Sequence, residues 1–90
     1  MSREYRVKVA LMSQKKRCHN GHRPGDEWIV GRTTPEGMCM SAFGTLFPFI
    51  TTLKFGGSFP WESEDGVVHI ACPDGEICNL FRLERLPEED

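Results

Sequence analysis

The chain has 90 residues, which is enough for one hydrophobic core but leaves no room for a second. Its net charge of −2 and pI near 5.9 argue against a general nucleic-acid binder, so we expect no nucleic-acid partner. No apolar stretch has the form of a secretory signal or the length of a membrane span, and we therefore expect a cytoplasmic protein without a membrane partner.

The first predicted elements are two strands joined by a loop. Apolar and polar residues alternate over residues 5–12, as in a half-buried strand, and residues 27–30 form a second, shorter one. The loop over residues 18–26 is rich in glycine and turn formers. Within it, Cys18 and His22 are spaced so that both side chains reach one metal ion from a turn. The alternative is a buried structural cysteine beside a histidine that caps local backbone groups.

A long helix is predicted next. Thr34 has the character of an N-cap, with Pro35 at the first helical position and Glu36 in the first turn. The apolar pattern continues to Lys54, where the following pair of glycines should stop the helix. Cys39 would then lie in the first helical turn, where the helix dipole and unpaired N–H groups favour a thiolate.

The helix is expected to be largely buried, because few of its residues are polar. Pro48 removes one helical hydrogen bond and should bend or break the helix near Thr45, which allows two shorter helices over 36–47 and 49–54. The side chains expected to form the core face are Ala42, Phe43, Leu46, Phe47, Phe49, Ile50 and Leu53.

An aromatic loop over residues 55–61 follows the helix. We expect Phe55 and Trp61 to be mostly buried against the helix, and Gly56 or Gly57 to have a positive φ. An aromatic wall that faces a ligand is the alternative role for this loop.

The last predicted element is an antiparallel hairpin. Residues 67–72 are rich in β-branched side chains, Pro73-Asp74-Gly75 is a turn signal, and residues 79–86 alternate. The turn would bring Cys72 and Cys78 close together. The acidic tail over residues 87–90 is expected to be disordered.

These elements predict a single α+β domain over residues 1–90, with one main helix packed on an antiparallel or mixed sheet of about four strands. The uncovered face of the sheet should be polar. The residues that fit this face are Arg6, Lys8, His69, Arg82 and Glu84.

Four segments carry a resemblance to a family of short, functionally uncharacterised proteins from anaerobic bacteria and archaea. The resemblance covers nearly the whole chain and implies that Cys18, His22, Cys39 and Cys72 act as one set, but it implies no reaction. Cys78 lies outside the motifs. The four segments are Cys18-x-x-Gly21-His22-x-x-Gly25-Asp26, Pro35-x-Gly37-x-Cys39-x-x-Ala42, Phe55-Gly56-Gly57-x-x-Pro60-Trp61 and Ala71-Cys72-Pro73-Asp74.

Three functions remain open at this point, and whether the chain is an enzyme is open with them. In a reducing compartment these cysteines are expected to be thiols or ligands, and three cysteines with one histidine suit zinc, iron or an iron–sulfur cluster. In a thiol-based redox protein, Cys39 would be the nucleophile, Cys18 or Cys72 the resolving thiol, and His22 the base. The third function is a small interaction domain with structural cysteines, so a protein partner or a homo-oligomer also stays open.

Overall fold

The computed structural model describes residues 4–17, 21–71 and 77–87. Within these residues all the strands belong to one antiparallel sheet of order β2-β1-β4-β3, and a helix covers one face of it. The predicted α+β architecture is therefore confirmed. The elements are β1 Val7–Ser13, β2 Glu27–Val30, α1 Met40–Lys54, β3 Val67–Ala71 and β4 Leu80–Arg85.

The strands lie within two residues of their predicted positions, because strict alternation fixes which side chains point inward. Val9 and Leu11 of β1 and Leu83 of β4 point towards the helix and are fully or almost fully buried. No helix among the described residues has the length and apolarity that a membrane crossing requires. The acidic tail was expected to be disordered over residues 87–90, and of these only Pro87 lies within the described residues.

The core lies between the sheet and one side of α1. Four of the predicted helix residues form its centre, namely Ala42, Leu46, Ile50 and Leu53, all at most 2% exposed. Together with the inward side chains of the strands, they make one continuous cluster. Burying apolar area in this way is the main term that stabilises so small a domain.

The opposite face of the sheet is charged, as expected. Lys8 lies 3.9 Å from both Glu27 and Glu84, and Arg82 pairs with Glu84 at 2.7 Å. His69 is exposed on the same face, opposite Arg82 in the strand register. Arg6 directly precedes β1 and is exposed, and its carbonyl accepts the N–H of Leu86 at 2.8 Å, which continues the pairing of β1 with β4.

The predicted start of the helix is wrong. The helix begins at Met40, with Cys39 as its N-cap, so Thr34 is not the cap and Pro35 and Glu36 are not helical. Residues 36–37 form a turn in which Gly37 has a φ of +85°. Because a left-handed residue interrupts a right-handed helix, the regular helix starts only after this turn.

Pro48 does not break α1, which is continuous over Met40–Lys54. Proline has no N–H, so Pro48 leaves the carbonyl of Gly44 without its usual hydrogen-bond donor. Both residues lie on the exposed side of the helix. Water can therefore replace the missing partner. The Thr52 hydroxyl also donates to the carbonyl of Pro48 at 3.0 Å, which adds a bond in the next turn.

The helix ends at Lys54 as predicted, and Gly56 has the expected positive φ of +89°. The expected burial of the aromatic loop is wrong, because Phe55 is 53% exposed and Trp61 63% exposed. The aliphatic side chains of α1 already fill the space above the sheet. Phe59 takes the packing role instead, with its ring 5.6 Å from that of Phe49. Phe47 is also exposed, contrary to its predicted place in the core.

Candidate metal centre

The topology gathers the chemically relevant segments at one end of the sheet. Both β1 and β3 are antiparallel to β4, so they run in the same direction and end at the same side. The last residues of these strands, Ser13 and Ala71, both pair with Leu80 at the start of β4. We call this side the sheet end; it comprises the ends of β1 and β3 and the start of β4.

His22 and Cys39 meet near the sheet end, although they are 17 residues apart in the sequence. The backbone N–H of Cys39 donates to Nε2 of His22 at 3.0 Å. The His22 ring is 6% exposed and stands edge-on to Trp28, with ring centroids 5.0 Å apart. Because Nε2 accepts this bond, the neutral ring carries its proton on Nδ1. The histidine therefore binds the chain just where the helix begins.

Cys39 is the N-cap of α1, with extended backbone angles of φ −67° and ψ 149°. Its Sγ accepts the backbone N–H of Ala42 at 3.4 Å, and its carbonyl accepts the N–H of Phe43 at 3.0 Å. The sulfur thus occupies the place that a serine or aspartate oxygen usually takes at a helix N-terminus. Cys39 is partly exposed and also packs against the core cluster.

Gln14 holds the surroundings of His22 in place, a role that was not predicted from the sequence. Its Nε2 donates to the carbonyl of His22 at 3.2 Å and to Oδ1 of Asn79 at 2.8 Å. Asn79 is 3% exposed. The amide of Gln14 therefore joins the loop before β2 to the residue before β4. An asparagine just before an alternating strand was the one available signal, and it indicates a turn equally well.

The loop that contains His22 is fixed by a turn at residues 23–26. The N–H of Arg23 donates to Oδ2 of Asp26 at 2.8 Å, and the N–H of Asp26 donates back to the carbonyl of Arg23 at 3.0 Å. Gly25 has a φ of +98° and its N–H binds the carbonyl of Leu11 at 2.9 Å. The predicted tight turn is confirmed in this part of the loop.

Cys18 and Cys72, the other two members of the predicted set, lie outside the described residues. Two described residues near them in the sequence are hydrogen-bonded: the N–H of Lys15, which precedes Cys18, donates to the carbonyl of Ile77, which follows Cys72, at 2.7 Å. Within residues 4–17, 21–71 and 77–87, no group of three or more His, Cys, Asp or Glu side chains is placed to hold a metal ion.

Cys78 also lies near the sheet end, two residues before β4. It is partly buried and has a φ of +49°, an uncommon conformation for a residue other than glycine. Its predicted proximity to Cys72 concerns a residue that the structure does not describe.

A second polar pair lies on the open face of the sheet. The N–H of His69 donates to Oε2 of Glu62 at 3.0 Å, and the His69 ring nitrogen Nδ1 lies 3.1 Å from Oε1. The hydrogen bond from the His69 backbone, with further contributions from the His69 ring, lowers the pKa of Glu62 below its ordinary value, although partial desolvation opposes this shift. The pair fixes the acidic turn to β3.

Comparison with known proteins found no match to a family model, a curated protein or a solved structure.

Proposed function

We propose that the chain is a small cytoplasmic metal-binding module in which Cys18, His22, Cys39 and Cys72 hold zinc, iron or an iron–sulfur cluster. We further propose that it is related to the family of short proteins whose motifs it resembles. The single observation that carries the proposal is the contact between Cys39 and His22. Two of the four proposed ligands, distant in the sequence, share a hydrogen bond at the start of the helix.

The strand directions support bringing the other two ligands to the same place. Cys72 directly follows Ala71, the last residue of β3, and Cys18 follows β1 by five residues in the sequence. Because β1 and β3 end on the same side, both cysteines are linked to the sheet end by short lengths of chain. The N–H of Lys15, between β1 and Cys18, also donates to the carbonyl of Ile77, which follows Cys72 by five residues in the sequence.

The donor chemistry of Cys39 fits a bound metal in its present conformation. A thiolate ligand accepts N–H hydrogen bonds, and Sγ already accepts the N–H of Ala42. The N-terminus of α1 would also stabilise the negative sulfur. Thiolate and imidazole ligands together suit zinc and iron better than calcium or magnesium.

His22 fits a metal only if one ring nitrogen is made available. Nε2 would have to exchange the N–H of Cys39 for the ion, because Nδ1 holds the proton of the neutral ring. Metal binding would then release this end of the helix from the histidine and tie it through Cys39 instead. A bound ion would supply a cross-link between segments, which adds directly to the folding free energy of a small domain.

Thiol chemistry at Cys39 is the second candidate function. The observation that favours it is the position of Sγ, which belongs to a partly exposed residue and accepts the N–H of Ala42 at the start of α1. In this reading, Cys18 or Cys72 is the resolving thiol. His22 contacts the backbone of Cys39, so its role as the base would need a different ring position.

Metal analysis of protein purified without oxygen separates the two functions. We expect one equivalent of zinc, or a stoichiometric amount of iron, in the wild-type chain. Cys39→Ser and Cys72→Ser should lose metal and melting temperature together, since metal binding and folding are linked. Cys78→Ser is the matched control and should keep its metal.

Metal-free protein with rapid alkylation at Cys39 would support the thiol function and contradict the metal site. Loss of metal in Cys78→Ser but not in Cys39→Ser would contradict the proposed ligand set.

A further inference from the structure

The outer side of α1 is an uncharged surface with exposed apolar side chains. Charged residues make up 27% of the chain, yet residues 37–53 contain none. On this surface Met40 is 87% exposed and Phe47 54% exposed. We call it the helix face, defined by Met40, Ser41, Gly44, Phe47, Pro48 and Phe55, all of which are exposed. A surface of this kind usually marks an interface.

The helix face contains a recess, and it also carries side chains that could fill the same recess on another copy of the chain. A groove of about 260 Å³ lies between α1 and the segment over residues 30–34. Its walls include Phe43, Phe47 and Phe55, and the rings of Phe43 and Phe47 are 5.7 Å apart. Met40 projects from the same surface at the start of the helix. A patch with its own recess and its own projecting group meets the requirement of a two-fold interface, in which each copy uses the same surface.

The charges at the two ends of the helix face are opposite. Arg32 and Lys54 lie near the end of α1 and both pair with Glu4, at 3.4 Å and 3.3 Å. Two cations thus share one carboxylate, and the Arg32 side chain is 84% exposed. Glu36 is exposed near the start of the helix and makes no ion pair with another described residue. If two helices pack antiparallel, the Glu36 end of one copy faces the Arg32 end of the other.

We infer that the helix face binds a second copy of the chain, in a two-fold dimer whose α1 helices run antiparallel. The absence of charge along residues 37–53 means that no like charges face each other across the axis. Gly44 and Ser41 allow the two helices to approach closely, and antiparallel helix dipoles attract each other. Membrane-surface helices carry several basic residues along their polar face, whereas residues 37–53 contain none.

Sedimentation velocity on the full-length chain over a range of concentrations tests the inference. We expect a species of twice the 10.2 kDa chain mass. Phe47→Glu should weaken the dimer about 30-fold or more, the effect expected for losing a central interface residue. Ile29→Glu is the matched control, because Ile29 is similarly exposed but lies on β2, opposite Lys8 in the strand register. This control should remain a dimer.

A charge exchange tests the antiparallel arrangement. Glu36→Arg and Arg32→Glu should each weaken the dimer, and the double variant should restore it. Circular dichroism on each variant establishes that the fold is retained, so that a monomer reports on the interface. A monomeric wild-type chain, or a dimer unaffected by Phe47→Glu, would overturn the inference. A monomeric chain that co-sediments with phosphatidylglycerol vesicles through Phe47 would overturn it in favour of a membrane surface. Failure of the double variant to restore association would overturn the antiparallel arrangement.

Discussion

Arg85 joins three parts of the molecule through one guanidinium group. Its Nη1 donates to the carbonyl of Leu53 at 3.2 Å and to that of Gly57 at 2.6 Å. The guanidinium also lies over the ring of Tyr5, 5.5 Å from the centroid. A cation at the C-terminus of a helix satisfies its last carbonyls and complements its dipole. Arg85 therefore fixes the end of α1 on the sheet.

Gly57 is required by close packing at the helix end. A Cβ at this position would lie 2.6 Å from Cγ2 of Thr52 and 2.9 Å from its backbone oxygen. We expect Gly57→Ala to lower the free energy of unfolding by about 1–3 kcal/mol, the usual cost of overpacking. Gly44→Ala is the control, because nothing lies within 4 Å of its Cβ position. At protein concentrations where the chain is monomeric, it should be neutral or stabilising by up to about 1 kcal/mol, since alanine favours a helix. Equal stabilities of the two variants in urea unfolding would contradict this assignment.

Glu62 should give the stability a defined dependence on pH. Its pKa is lowered in the folded state, chiefly by the backbone hydrogen bond from His69. The stabilisation is therefore fully present above the pKa that Glu62 has in the unfolded chain. It is lost as the pH falls through the lower pKa that Glu62 has in the folded chain. Glu62→Gln should be less stable than the wild type at pH 7, and the difference should shrink below about pH 4.

Urea unfolding at several pH values measures this difference. Glu64→Gln serves as the control, since its ion pair with Arg82 at 3.2 Å is largely exposed and such pairs stabilise little. A difference between Glu62→Gln and wild type that grows as the pH falls would contradict the account.

At the scale of elements, the strands and the end of the helix could be predicted from the sequence, whereas the start of the helix could not. Alternation specifies a strand face directly, and Gly56-Gly57 shortly after Lys54 disfavours continuation of the helix. Pro35 followed by Glu36, in contrast, is common both in a first helical turn and in a tight turn. The outcome depended on Gly37, whose φ of +85° is a property of the folded chain.

The aromatic residues were misplaced for a related reason. Hydrophobicity indicates that Phe47 and Trp61 prefer burial, but the core has a fixed volume that Leu46 and Ile50 already occupy. The contact between His22 and Cys39 was likewise not encoded in a short spacing. It arises because the loop before β2 and the start of α1 meet in the folded chain. In the sequence, the two residues were grouped only by the family resemblance and by their shared capacity to bind a metal.

Leu46 tests how α1 is held on the sheet. It is fully buried in the centre of the core cluster. We expect Leu46→Ala to lower the free energy of unfolding by about 2–5 kcal/mol, because it removes apolar contact and leaves a cavity. Phe47→Ala is the neighbouring control and should cost under about 1 kcal/mol at protein concentrations where the chain is monomeric. A loss below about 0.5 kcal/mol for Leu46→Ala in urea unfolding would contradict the placement of the helix.

At the scale of the whole molecule, the two broad sides have different characters. The open face of the sheet carries paired charges, while the helix face is uncharged and suited to a second copy of the chain. The proposed metal ligands and the residues of the helix face are different side chains, although Cys39 directly precedes Met40, so each proposal has its own variants. The proposed dimer and the proposed metal site can therefore be tested separately.

X-ray absorption at the metal edge, on protein purified without oxygen, tests the central claim most directly because it reports the ligands themselves. For zinc, we expect three sulfur neighbours at about 2.3 Å and one nitrogen neighbour at about 2.0–2.1 Å. Cys39→Ser should remove one sulfur from this shell or prevent metal binding altogether. A shell of nitrogen and oxygen alone, or protein without stoichiometric metal, would contradict a site built from Cys18, His22, Cys39 and Cys72.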